Sequence, residues 1–177
     1  MFKQPLESIK IIDFSRVLAG PYCTLLLADM GAEVIKIENP NGGDDTRFFG
    51  PYQNGESGYF SLLNRGKQSV TADLKNESDL QMIKDMISEI LKVVIKDGKG
   101  IEVNTSYHRY GLKDMTPSRD ILKLYKELGG TIITIGSDSH KKEHLGAYID
   151  EAKDELRKLG FKYYCTFENM APIYHEL

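Results

Sequence analysis

Short apolar runs separated by Gly, Pro and Asn set the rhythm of this chain. Residues 9–14 (IKIIDF) form an isoleucine-rich run of the length of a buried strand. Ala19-Gly20-Pro21 breaks that run and places a proline where a first helical turn would start. Residues 22–30 (YCTLLLADM) read as a helix, with Gly31 at its C-terminal cap, and residues 32–37 (AEVIKI) alternate as a second strand. The three segments predict a parallel, right-handed strand–helix–strand unit. Residues 39–58 are rich in Asn, Gly, Pro and Asp and predict a long loop. A short strand over residues 69–74 follows, then a helix capped by Ser78 and running from Asp79 to about Lys96.

Beyond Lys96 the pattern restarts. Asp97-Gly98-Lys99-Gly100 is a turn, residues 101–104 a strand and residues 105–117 a loop. Residues 118–128 predict a helix with Ser118 as N-cap, closed by Gly129-Gly130. Residues 131–135 (TIITI) make a buried β-branched strand, residues 143–159 a charged helix ended by Gly160, and residues 161–167 a last strand. Strands and helices alternate throughout, so the fold class is α/β.

Composition narrows the function classes. The chain has 177 residues, 41% apolar and 28% charged, which is enough for one ordinary domain or two small ones. A net charge of −3 gives no pull towards nucleic acid or an acidic membrane. No apolar stretch approaches the ~20 residues of a membrane span, and the opening MFKQPLESIK has no apolar signal segment. The two cysteines, Cys23 and Cys165, have no metal-ligand partners at short spacing. The expected setting is the reducing cytoplasm, without a disulfide framework.

The first strand delivers residues 15–21 (SRVLAGP) to the carboxyl end of a parallel sheet, where open α/β sheets bind ligands. The following helix points its positive end at the same crevice, and Arg16, Lys36, Arg47, Arg65 and Lys67 are available to add positive charge. By pattern alone, an ordinary strand–turn–helix unit with solvated basic residues is the simpler account. The wording is more telling. DFSRVLAGPYCTLLLADMGAEVIKIENPNGGDDTR, followed by SGYFSLLNRGKQSVTADLK, resembles the opening of the class III CoA-transferases, the CaiB/BaiF family that includes formyl-CoA transferase, over about residues 6–89. The resemblance implies a Rossmann-like βαβ region that binds a CoA thioester. Its CoA contacts fall on Arg16, Leu18 and Ala19 and on Asn64, Arg65 and Lys67. The family's catalytic Asp lies beyond the resembling stretch. None of Asp13, Asp29, Asp44, Asp45 and Asp73 inherits that role, so no catalytic residue is assigned.

In the second half, TIITIGSDSH is the most informative stretch. If the chain stays extended after the strand, Asp138 and His140 face the same way and offer a carboxylate and an imidazole to a divalent metal. Spacing alone favours a helix- or turn-capping Asp and a surface His. The surrounding text, GKGIEVNTSYHRYGLKDMTPSRDILKLYKELGGTIITIGSDSH and LGAYIDEAKDELRKLGFKYYCTFENMAPIYHEL, resembles the C-terminal part of PHP-family histidinol-phosphatases over about residues 90–177. That resemblance implies the C-terminal portion of a PHP-type βα barrel acting on a phosphomonoester. Asp138 and His140 then match a metal-binding D-x-H for Zn, Mn or Fe, and Arg109 a phosphate contact. Glu102 and Asn104 are open between lining the barrel and plain structural roles. All four histidines lie from His108 onward, so the family's N-terminal H-x-H has no counterpart.

The two resemblances abut inside one predicted helix with no flexible linker. The expectation is a hybrid of two incomplete enzyme segments, with weak CoA and metal binding, no complete active site, and self-association through uncovered apolar surface. A phosphatase completed by another chain and a non-enzymatic CoA- or metal-binding module remain as alternatives.

Overall fold

The structure is a computed structural model that describes residues 3–177. It divides into two compact units, Met1–Met86 and Ile87–Leu177. Both mix strands and helices.

Unit 1 is built on a three-stranded parallel sheet, ordered β1 (Lys10–Asp13), β2 (Glu33–Glu38), β5 (Lys67–Thr71). Register pairs Ile11 with Val34 and Ile35 with Gln68. Helix α1 (Ala19–Asp29) connects β1 to β2, and Gly31 at φ 100° ends it in the left-handed conformation that glycine adopts without a Cβ penalty. The expected long loop has structure of its own. A 3₁₀ turn covers Asp45–Phe48, capped by the Asp44 carboxylate, and a small hairpin pairs β3 (Tyr52–Gln53) with β4 (Glu56–Ser57). Helix α2 (Gly58–Asn64) follows, with the Ser57 hydroxyl accepting from Phe60 N at 3.1 Å.

Helix α3 (Glu77–Lys96) starts two residues before the expected Asp79. Its cap is Asn76, not Ser78: the Asn76 side-chain oxygen accepts from the amides of Ser78 and Asp79 at 2.9 and 3.2 Å. Asn also takes the Ser78 hydroxyl, so the serine is a partner of the cap. Ile87, Leu91 and Ile95, one turn apart, pack on the interior of unit 2.

Unit 2 pairs β6 (Ile101–Asn104) with β7 (Ile133–Gly136) in parallel, and β8 (Tyr163–Glu168) with β9 (Ala171–Glu176) as an antiparallel hairpin. Among the described residues these are two separate two-stranded sheets. The continuous run of parallel strands expected for a barrel portion is absent from them. Helix α4 (Arg119–Glu127) has Ser118 as N-cap, as the sequence predicts. The charged helix is shorter than its charge pattern. Helix α5 spans Ile149–Lys158, because Gly146 and Tyr148 take φ of 70° and 62°, which no helix accommodates.

The two interiors differ in kind. Unit 2 closes around Val103, Leu122, Tyr125, Ile133, Ala152 and Leu156, all fully buried. Each large aliphatic here contributes roughly 1.5–3 kcal/mol. Unit 1 buries Leu25, Val34 and Leu63, and beside them the charged groups Asp13, Lys36, Glu38 and Asp44.

Candidate functional site

The turn that leaves β1 is held by side chains from several elements of unit 1. Asp13 is 2% exposed, and its Oδ1 accepts from Ser15 N at 2.8 Å and from the Ser15 hydroxyl. Its Oδ2 accepts from Thr24 Oγ1 at 2.6 Å and Lys67 Nζ at 3.1 Å. Burial pushes this carboxyl up, but the Ser15, Thr24 and Lys67 donors together carry it below its ordinary value. Gly20 has no freedom to be anything else: a Cβ there would sit 2.1 Å from Ser15 Cβ. The turn passes through Val17 at φ 69°, a left-handed conformation uncommon for a β-branched residue.

Two further carboxylates hold this turn from the side of β2. Asp44 Oδ1 accepts from Thr46 N at 3.0 Å, Thr46 Oγ1 at 2.8 Å and Val17 N at 3.3 Å. Its Oδ2 has no aligned hydrogen-bond donor and is compensated by the Lys36 ammonium 2.9 Å away. Lys36 in turn donates to Ser15 O at 2.8 Å. Glu38 accepts from Arg47 Nε and Nη2 at 2.8 and 2.7 Å, Ser69 Oγ at 2.6 Å and Asp44 N at 2.9 Å. Burial pushes both carboxyls up. Arg47 and Ser69 outweigh it at Glu38, and the Thr46 amide and Lys36 outweigh it at Asp44, so each is held at about 2.

This network redistributes the expected CoA contacts. Arg16, Leu18 and Ala19 do come together, at the positive N-terminal end of α1. Leu18 is exposed, and the half-exposed Arg16 guanidinium meets Asp45 at 2.7 Å. Lys67 is elsewhere. Its side chain is 1% exposed, and its ammonium donates to Asp13, Pro21 O and Asn64 Oδ1, which fills its three donors. Burial lowers its pKa and Asp13 restores only part. Asn64 and Lys67 therefore brace α1 against the sheet. Arg65 pairs with Asp29 at 2.6 Å, at the last residue of α1 and about 15 Å along the helix from its first residue, Ala19. Lys36 and Arg47, read as positive charge for a ligand, are likewise engaged by internal carboxylates. Beside the turn, Phe14, Arg16, Ile37, Asn39 and Gly43 line a recess of about 70 Å³ at the carboxyl ends of β1 and β2.

In unit 2, β7 ends at Gly136 and Asp138 takes φ 46°, so the chain is not extended through the D-x-H. The pair still converges: His140 Nδ1 lies 3.8 Å from Asp138 Oδ1 and 2.9 Å from the Asp138 carbonyl oxygen. Arg109 joins them, donating to Ser137 O at 2.7 Å and Asp138 O at 2.8 Å, with its guanidinium 3.9 Å from the Asp138 carboxylate. Asn104 caps the 3₁₀ turn Thr105–Tyr107 through Ser106 N, and His108 stacks on Tyr148 at 4.5 Å. His175 lies within β9, 2.8 Å from Thr166 Oγ1. His144 sits in a 3₁₀ turn, half-buried, with an unpartnered Nδ1. Among the described residues no three His, Cys, Asp or Glu side chains gather closely enough to hold a metal.

Residues 6–99 match CoA-transferase family III. The chain belongs to that family. Mouse succinyl-CoA:glutarate CoA-transferase is 43% identical over 108 residues, covering 59% of this chain and 24% of the relative. Acetyl-CoA:oxalate CoA-transferase of Acetobacter aceti is 43% identical over 104 residues, covering 55% and 27%. The chain thus spans about a quarter of the length of these relatives. The crystal structure of a CaiB/BaiF family protein from Brucella suis is similar at 30% identity and a TM-score of 0.48, covering 75% of this chain and 33% of that one. The match to CoA-transferase family III extends through the whole of α3. No helix among the described residues is long and apolar enough to cross a membrane.

Proposed function

We propose that unit 1 is a CoA-binding segment of a CoA-transferase, taking the CoA thioester at the turn formed by Arg16, Leu18 and Ala19. The observation that carries this is the turn itself. Buried ion pairs fix its backbone, while the Arg16 guanidinium and the N-terminal end of α1 face outward. A phosphate displacing Asp45 from Arg16 would exchange one charge-assisted pair for another. No nucleophile is assigned. Asp13 and Asp44 are buried and internally bonded, and binding alone does not lower the barrier to acyl exchange. Calorimetry with CoA tests the reading: Arg16→Ala should weaken binding about tenfold, as for one lost charge-assisted contact. Binding unchanged in Arg16→Ala, or none in the wild type, would overturn it.

For unit 2 the reading is a PHP-like segment joined to the transferase segment, supported by the resemblance of the residues that follow the family III match, 100–177. One further observation favours a weak divalent-metal site at Asp138 and His140. The His140 Nδ1 faces the Asp138 carbonyl, which leaves Nε2 as the free ligand nitrogen. Arg109, committed to two backbone carbonyls, steadies that loop and keeps little capacity for a phosphate. Zinc, Mn or Fe content that is equal in wild type and His140→Ala would remove the proposed site. Phosphatase turnover is not expected from two ligands.

A further inference from the structure

We propose that Asp44 is a positioning residue for the CoA-binding turn: it acts through Lys36 and the Val17 amide to hold Val17 in the left-handed conformation that sets Arg16 and the start of α1 in place. This rests on the reading of unit 1 as a CoA-binding segment. The argument starts from the backbone. A valine at φ 69° is held there only when the surrounding structure over-determines it. Here both neighbouring backbone groups are tied to one carboxylate. Asp44 Oδ1 takes the Val17 amide at 3.3 Å, and Asp44 Oδ2 faces Lys36, whose ammonium takes the Ser15 carbonyl at 2.8 Å. The Arg16 side chain between them meets Asp45, the next residue. Asp44 has no slack of its own, because its amide is bonded to Glu38 at the end of β2 and its carboxylate caps the Asp45–Phe48 turn. Lys36 and Asp44 are 2% and 1% exposed, so neither reaches a ligand. Their effect on one would be conveyed by the turn.

The test separates positioning from general stability by rescue. In the full chain, Asp44→Ala should weaken CoA binding about tenfold in calorimetry. It should also speed hydrogen exchange of the Val17 and Leu18 amides relative to Leu25 within α1. Adding Val17→Gly, which adopts the left-handed conformation without a side-chain penalty, should recover most of the affinity while the thermal midpoint stays lowered. Asp44→Ala that binds as wild type, or a double variant whose affinity stays down with its midpoint, would overturn the proposal. If Asp44→Ala does not fold, Val17→Pro tests the same turn with the buried pair intact. Its fixed φ excludes the observed conformation, so a folded Val17→Pro with wild-type affinity overturns the proposal, and a tenfold loss supports it. If the wild type binds no CoA, the reading of unit 1 fails by itself. The exchange measurement then decides the clamp alone, on the Val17 and Leu18 amides of Asp44→Ala or, where that does not fold, on the Leu18 amide of Val17→Pro, which has no amide hydrogen at position 17: exchange as slow as in the wild type overturns it.

Discussion

Glu38→Gln should cost unit 1 stability at neutral pH, and the cost should vanish in acid. The Glu38 side chain is 2% exposed and accepts four hydrogen bonds, two of them from the Arg47 guanidinium. A carboxyl held at about 2 against an ordinary 4.5 contributes roughly 3 kcal/mol when ionised in the folded state. Because the folded value is depressed, that contribution is fully present above pH 4.5. It falls as the pH drops and is gone near pH 2. Arg47 is 40% exposed and recovers water when its partner is neutralised, so the loss at pH 7 should stay at roughly 3 kcal/mol and not reach that of a stranded buried charge. The measurement is urea unfolding at pH 7, 5, 4 and 3, read by hydrogen-exchange mass spectrometry on peptides from β2 and β5. The gap between wild type and variant should be flat from pH 7 to 5 and shrink steadily below. A gap that persists unchanged to pH 3, or no gap at pH 7, would refute the assignment of this carboxylate as an ionised anchor.

Three other outcomes follow from the packing. Gly20→Ala should destabilise unit 1 by about 1–3 kcal/mol and weaken CoA binding, since Ser15 is pinned by Asp13 and cannot retreat from the new Cβ; Ser15→Gly in the same chain should restore unfolding midpoint and affinity. Leu122→Ala, at a fully buried position, should cost unit 2 about 2–5 kcal/mol, visible as faster exchange in β6 and β7 and unaltered exchange in β1 and β2. Met170→Gly should raise the stability of the β8–β9 hairpin by about 1 kcal/mol, because Met170 is 88% exposed and holds φ 66° at the turn; a lowered unfolding midpoint would count against that account.

The parts of the fold that the sequence made legible are those where one local signal dominates. The isoleucine run of β1, the Pro21 and Gly31 that bracket α1, and Ser118 before α4 each act within a few residues. What stayed hidden depends on contacts or on unusual backbone. Helix α2 is only seven residues and aromatic, and its one clear sign was Ser57 as a cap. Strand β9 folds back through Asn169-Met170, both at positive φ, where methionine is an unusual occupant. The start of α5 is set by Tyr148 in a left-handed conformation, which no periodicity announces. Arg16, Leu18 and Ala19, which the family resemblance named, lie together at the start of α1, as their place after β1 predicts. The roles of Lys36 and Lys67 do not. Lys36 and Glu38 alternate with isoleucines in the central strand of a parallel sheet, and both are buried. Charged residues there had to find internal partners, and that was the available signal. Asp138 misled for a related reason: Asp tolerates the left-handed region, so D-x-H spacing alone does not guarantee an extended chain.

The contrast between the two interiors bears on how the backbone of an exposed turn can be specified. An apolar core such as that of unit 2 sets distances but leaves backbone polar groups at its edge to water. The buried pairs of unit 1 instead reach individual amides and carbonyls of residues far apart in sequence: Asp44 to Val17, Lys36 to Ser15, Lys67 to Pro21. Burying such charges carries a desolvation cost that packed hydrocarbon avoids, and directional bonds to the turn are what the charges add in exchange. Exposure then divides the charges by task. Lys36, Asp44, Lys67 and Asp13 are at most 2% exposed and lie beyond the reach of salt or solute. Arg16 and Asp45 are 59% and 54% exposed, so their pairing is weak and open to competition from an incoming anion. The groups that shape the turn are therefore distinct from the group it presents, and loss of the Arg16–Asp45 pair would leave the bonds that hold Val17 in place.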